Sequence, residues 1–96
     1  MKEFEYPDEL YSQESEDLRI LSRILDAGEY ETSRGELREA EKLFLTARFF
    51  SESAFGPYHW TQCDVLTCLH YLQSLQGRHS EAEVTFALCE KIMDRF

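Results

Sequence analysis

The chain is short of several things, and each scarcity excludes a class of function. Only 10 of its 96 residues are Lys or Arg, against 19 Asp or Glu, for a formal net charge of −9. A surface so poor in cations opposes phosphate backbones and anionic membranes, so neither nucleic acid nor membrane is an expected partner. There are three cysteines, Cys63, Cys68 and Cys89, which cannot all pair within one chain. They fit a reducing compartment, where small thiols pack as apolar side chains. No apolar run approaches the roughly 20 residues of a membrane span. The opening segment, MKEFEYPDELYSQESED, is acidic and lacks the apolar stretch of a signal peptide. A cytoplasmic location is expected. The four glycines are isolated, so there is no phosphate-cradling loop. Strand-like alternation occurs nowhere over a useful length.

What remains is a small globular chain. Its hydrophobic content of 43% is ordinary for a folded protein and opposes wholesale disorder. Ninety-six residues make one domain whose stability margin is thin.

The chain repeats itself. RGELREAEKLF (34–44) aligns with QGRHSEAEVTF (76–86) at a shift of 42 residues, with five identities: Gly35/Gly77, Glu39/Glu81, Ala40/Ala82, Glu41/Glu83 and Phe44/Phe86. Similar pairs extend the match, namely Ile24/Leu66, Ala47/Cys89 and Phe50/Ile92. Each copy reads as two helices around a glycine turn. In copy one, Leu18, Leu21, Ile24, Leu25 and Gly28 form a helical stripe that ends at Thr32, Ser33 and Gly35. A second helix carries Leu37, Ala40, Phe44 and Ala47 until Gly56-Pro57 breaks it. In copy two, Val65, Leu66, Leu69, Leu72 and Leu75 mark the third helix. The fourth is expected to open on a Ser80/Glu83 capping box and to continue through Ala82, Phe86, Cys89 and Ile92. Ala40, Ala47, Ala82 and Cys89 are small enough to let antiparallel helices approach, with Phe44 and Phe86 filling the space beside them. The expected fold is all-α, with four main helices in two antiparallel pairs. Residues 1–16 form an acidic arm and residues 17–96 the two-repeat domain.

These residues resemble a tetratricopeptide repeat. Copy one matches the family pattern with Ile24, Gly28, Gly35, Ala40, Phe44 and Ala47. Copy two matches with Leu66, Leu69, Gly77, Ala82, Phe86 and Cys89. Departures are Ala27 where the pattern has leucine, His70 where it has a small residue, and Glu31 and Gln73 where an aromatic is usual. The spacing of 42 and the segment Phe55-Gly56-Pro57-Tyr58-His59 are similar to the kinesin light chain type of repeat. The resemblance spans roughly residues 17–96 and implies a short α-solenoid that binds another protein on its concave face, with no cofactor and no catalysis.

The family's groove positions fall on Ser22, Leu25, Glu29, Thr32 and Ser33, and on Asp64, Thr67, Tyr71, Ser74 and Leu75. Such a surface would favour an extended, basic segment, with Tyr71 as an anchor. Leu25 and Glu29 replace the first residues of the clamp with which some members hold acidic chaperone tails, so that ligand is not expected. Trp60 is expected either to pack between the helix pairs or to anchor a partner. His59, Cys63, Cys68 and His70 lie near one helix, but no Cys-x-x-Cys pair exists, and packing or capping roles are expected over a metal site.

Two other readings stand beside the adaptor. Two repeats are few for a solenoid, and Phe50, Phe55, Met93 and Phe96 would form an apolar edge for a homodimer or an obligate subunit. A helix starting at Pro7-Asp8 and folding back through Leu10 and Tyr11 would be another cover. Finally, the acidic surface would suit an inhibitor that blocks a basic site by charge mimicry.

Overall fold

The computed structural model of the chain describes residues 8–95, with side chains from residue 14 onward. Residues 1–7 of the acidic arm and Phe96 of the apolar edge lie outside the described residues. The described chain is four helices: α1 (Asp8–Ser33), α2 (Leu37–Phe55), α3 (Trp60–Leu75) and α4 (His79–Met93). The fold is all-α. Among the described residues no helix is long and apolar enough to cross a membrane.

Helix α1 runs unbroken from Asp8, so the segment around Leu10 does not turn back as a separate helix. Nothing between Pro7 and Gly28 breaks a helix, and Asp8 and Glu9 at its start complement the helix dipole. Residues 8–16 of the arm therefore continue into the first repeat.

The helices pack in chain order. α1 lies along α2, α3 along α4, and α2 against α3; α1 and α3 touch lightly, and among the described residues neither α1 nor α2 meets α4. The core is built from Leu21, Phe44, Leu66, Leu69, Leu72 and Ile92. Each such apolar side chain contributes about 1.5–3 kcal/mol by leaving water. Ala40 and Ala47 are fully buried, as close helix approach requires.

The repeat in the sequence is a repeat in the hydrogen bonds. Gly35, at φ 79°, donates its N–H to the Thr32 carbonyl at 3.0 Å, and Glu36 donates to Glu31 at 2.9 Å. Gly77, at φ 74°, donates to Ser74 at 3.1 Å, and Arg78 donates to Gln73 at 2.9 Å. Both glycines occupy the left-handed region that a side chain rarely adopts, which lets one helix end and the next begin within three residues. Even the side chains repeat: the Thr32 hydroxyl donates to the Gly28 carbonyl at 2.8 Å, and the Ser74 hydroxyl donates to that of His70 at 2.9 Å.

Two local expectations fail. The capping box does not form, because α4 begins at His79, is capped by Arg78 and has no side-chain cap bond. The glycine turn delivers the chain into α4 two residues early, which leaves Ser80 inside the first turn. The Arg78 guanidinium bonds instead to the Glu81 carboxylate and, at 2.7 Å, to Glu41 of α2. Phe86 does not fill the core as Phe44 does: Phe44 is 2% exposed and Phe86 48%. Phe44 lies against Gly28, where even a methyl group would meet its ring. In copy two that position is His70, whose ring stands 5.4 Å from the Phe86 ring and whose Nδ1 lies 3.0 Å from the Ala82 carbonyl.

Candidate functional site: the groove between α1 and α3

Helices α1 and α3 touch only lightly, and the space between them is a groove with two depressions. The larger, about 580 Å³, lies at the start of α3 and is lined from α1 by Leu18, Leu21, Ser22, Leu25, Asp26 and Glu29. From α3 it is lined by Trp60, Thr61, Asp64, Thr67 and Cys68. The second, about 460 Å³, continues toward the end of α3, where Thr32, Ser33, Phe44, Tyr71 and Leu75 join Glu29, Thr67 and Cys68. The depressions share Glu29, Thr67 and Cys68 and so form one continuous surface.

The structure therefore brings together Ser22, Leu25, Glu29, Thr32, Ser33, Asp64, Thr67, Tyr71 and Leu75 of the residues expected from the sequence. Ser74 lines neither depression; its hydroxyl is turned back onto the His70 carbonyl. Leu18, Leu21, Asp26, Trp60 and Cys68 were not expected there. The repeat held a signal for two of them. Leu18 and Trp60 are related by the shift of 42 residues, as are Asp26 and Cys68, so one groove position in either copy marks the other.

The groove is acidic and half apolar. Asp26, Glu29 and Asp64 supply carboxylates, and among the described residues neither Lys nor Arg lines either depression. Burial raises the Asp64 carboxyl above its ordinary value. The Cys68 thiol donates to Glu29 at 3.7 Å. Burial first, and then the Glu29 carboxylate, push that thiol up to about 12. Cys63 is pushed up to about 11 by burial and then by Cys89, whose thiol donates to the Cys63 carbonyl at 3.9 Å. Thiols held this high stay protonated near neutral pH and make poor nucleophiles.

Trp60 stands half exposed at the groove's entrance, held by a file of rings. Phe55 stacks on His59 at 4.8 Å, and His59 meets Trp60 at 5.2 Å. His59 also caps α3: its Nδ1 accepts the Thr61 N–H at 3.2 Å. A nitrogen that accepts carries no proton. The Thr61 hydroxyl, 3.0 Å away, then donates to it and accepts from Ser51 at 2.7 Å. This chain of hydrogen bonds ties α2 to α3 beside Trp60.

His59, Cys68 and His70 each engage a different partner, and among the described residues no three His, Cys, Asp or Glu side chains gather as metal ligands. Phe50 and Phe55 of the expected apolar edge are partly buried against the core. Their neighbour Phe49 is exposed instead, and Met93 is half exposed. No protein-family model matches the chain, and neither a curated protein nor a solved structure matches it.

Proposed function

We propose that this protein is a tetratricopeptide-like interaction module that binds an extended, basic segment of another protein in the groove between α1 and α3. One observation carries the reading: three carboxylates, Asp26, Glu29 and Asp64, flank an apolar floor of Leu18, Leu21 and Leu25, with no cation among the described lining residues. A lysine or arginine gains from such a field, and an aliphatic neighbour gains from the floor. Trp60 and Tyr71 stand half exposed, one at the rim of each depression, as rigid anchors of low entropic cost. The duplicated glycine turns and their hydrogen bonds support the tetratricopeptide-like reading of the scaffold. The mechanism is docking onto a preformed helical surface, with no covalent step.

Trp60 is the chain's single tryptophan, so its fluorescence reports on the groove directly. Titration should show binding of peptides that alternate Lys or Arg with Leu, and none of peptides with Glu in place of the cations. Binding should weaken about tenfold or more in Tyr71→Ala, on the scale of a lost aromatic anchor. It should also weaken as salt rises. Equal binding of acidic and basic peptides would overturn the proposal.

A further inference from the structure

The internal repeat shows which surfaces, among the described residues, stay uncovered at its two ends. Within the molecule, α2 is covered by α3. Shifted by 42 residues, the surface of α2 that α3 covers becomes an open edge of α4, and the surface of α3 that covers it becomes an open edge of α1. The exposures follow. Phe44 and Ser51 of α2 are 2% and 0% exposed, whereas their counterparts Phe86 and Met93 on α4 are 48% and 50%. Leu72 of α3 is fully buried, whereas its counterpart Tyr30 on α1 is 62% exposed. Thr61 and Val65 are buried, and their counterparts Arg19 and Arg23 are exposed. The two edges are therefore the two halves of one interface, separated onto opposite ends of the molecule.

At one place along the edges the charges are complementary. The buried contact between Ser51 and Thr61 sets the register of α2 against α3. One helical turn further along stand Arg48 and Val65, whose counterparts are Glu90 on α4 and Arg23 on α1. Carrying the register over places Met93 beside the aliphatic stem of Arg19, Glu90 beside Arg23, and Phe86 near Ala27 and Tyr30. We propose that a second copy of this chain docks head to tail, with α1 of one protomer seated on α4 of its partner in the manner of α3 on α2.

Two internal contacts do not carry over: the Ser51–Thr61 hydrogen bond has no equivalent between Met93 and Arg19, and the second is an ion pair. Arg78 bridges to Glu41, but Glu36 stands at the counterpart of Arg78 and would approach Glu83. With a net charge of −9 on every copy, this makes the association weak and dependent on concentration. A head-to-tail contact also leaves an edge free at each end, so growth does not stop at a dimer.

The test is sedimentation equilibrium from about 10 μM to 1 mM, the range of weak association, with the folded state checked by circular dichroism. Wild-type mass should rise with concentration and pass beyond two copies. Arg23→Glu and Glu90→Arg, both at exposed positions, should each weaken association about three- to tenfold, as expected for reversing one exposed pair. An equimolar mixture of the two variants should associate again, because each supplies the charge the other lacks. A constant monomer mass, a closed dimer insensitive to both reversals, or a mixture no better than its components would overturn the proposal. Peptide binding in the groove is read separately by Trp60, so the two proposals stand or fall independently.

Discussion

Replacing Gly28 by alanine should destabilise this protein, although the same change in most helices does the reverse. Gly28 lies inside α1, and glycine there costs about 1 kcal/mol relative to alanine. A Cβ at this position would stand 2.4, 2.8 and 2.9 Å from three atoms of the Phe44 ring. Real Cβ atoms do not come so close to another heavy atom, so the ring or the helix must move. Phe44 is buried between the helix pairs and has little room to yield. Overpacking a core in this way costs about 1–3 kcal/mol. Three contacts this short put the cost in the upper part of that range, so set against the gain in helix propensity a net loss of about 1–2 kcal/mol is expected, read as a fall in Tm of roughly 5–15 °C for a domain of this size. Thermal and urea unfolding followed by circular dichroism would measure it. The double variant Gly28→Ala with Phe44→Leu should recover most of the loss, because the smaller side chain makes room. A Gly28→Ala protein as stable as wild type, or more so, would refute the packing argument and leave only the propensity term.

Further outcomes follow from single contacts. Gln62 is buried, and its Oε1 has no hydrogen-bond partner among the described residues. Gln62→Leu should raise stability by about 1 kcal/mol, and a lower urea midpoint would count against this. Thr61→Val should cost about 1–3 kcal/mol by leaving the Ser51 hydroxyl buried and unpaired, while adding Ser51→Ala should return part of it, a non-additivity that a double-mutant cycle reads directly. Cys63 and Cys68 titrate near about 11 and about 12 in the folded chain against an ordinary 9.0, so the unfolded state loses its thiol protons first. The stability they support is intact below about pH 9 and drains away as pH climbs toward those values, so the urea midpoint should fall from pH 8 to pH 10.5. Changing both cysteines to alanine should flatten that slope, and an unchanged slope would point elsewhere.

The repeat was legible because its residues serve the backbone and the closest packing. Gly35 and Gly77 are needed for left-handed turns, and Ala40, Ala47, Ala82 and Cys89 for close helix approach. Such requirements act through residue type and survive in a single sequence. The fate of Phe86 was not legible in the same way. It occupies the aromatic position of the repeat, but its exposure depends on His70 across the helix pair, where copy one has Gly28. Helix starts were misread for a related reason: Ser80 and Glu83 have the right spacing for a capping box, but the preceding turn and Arg78 decide where α4 begins. Ser22, Asp64 and Tyr71 line the groove at positions that the family resemblance implied. Trp60 was left between packing and anchoring because its surroundings, the His59 and Phe55 rings, come from beyond its own helix. Phe49 and Phe50 show the finest limit: adjacent aromatics differ by about 100° around a helix, so a small error in phase exchanges core for surface.

The most direct test of the central claim is a titration of isotope-labelled protein with an extended peptide alternating lysine or arginine with leucine, followed through its backbone amide NMR resonances. The account predicts shifts that cluster on the facing surfaces of α1 and α3, from Leu18 to Thr32 and from Trp60 to Tyr71, and that diminish when the lysines and arginines are replaced by glutamate. Shifts confined to the outer faces of α2 and α4, or none at millimolar peptide, would contradict it.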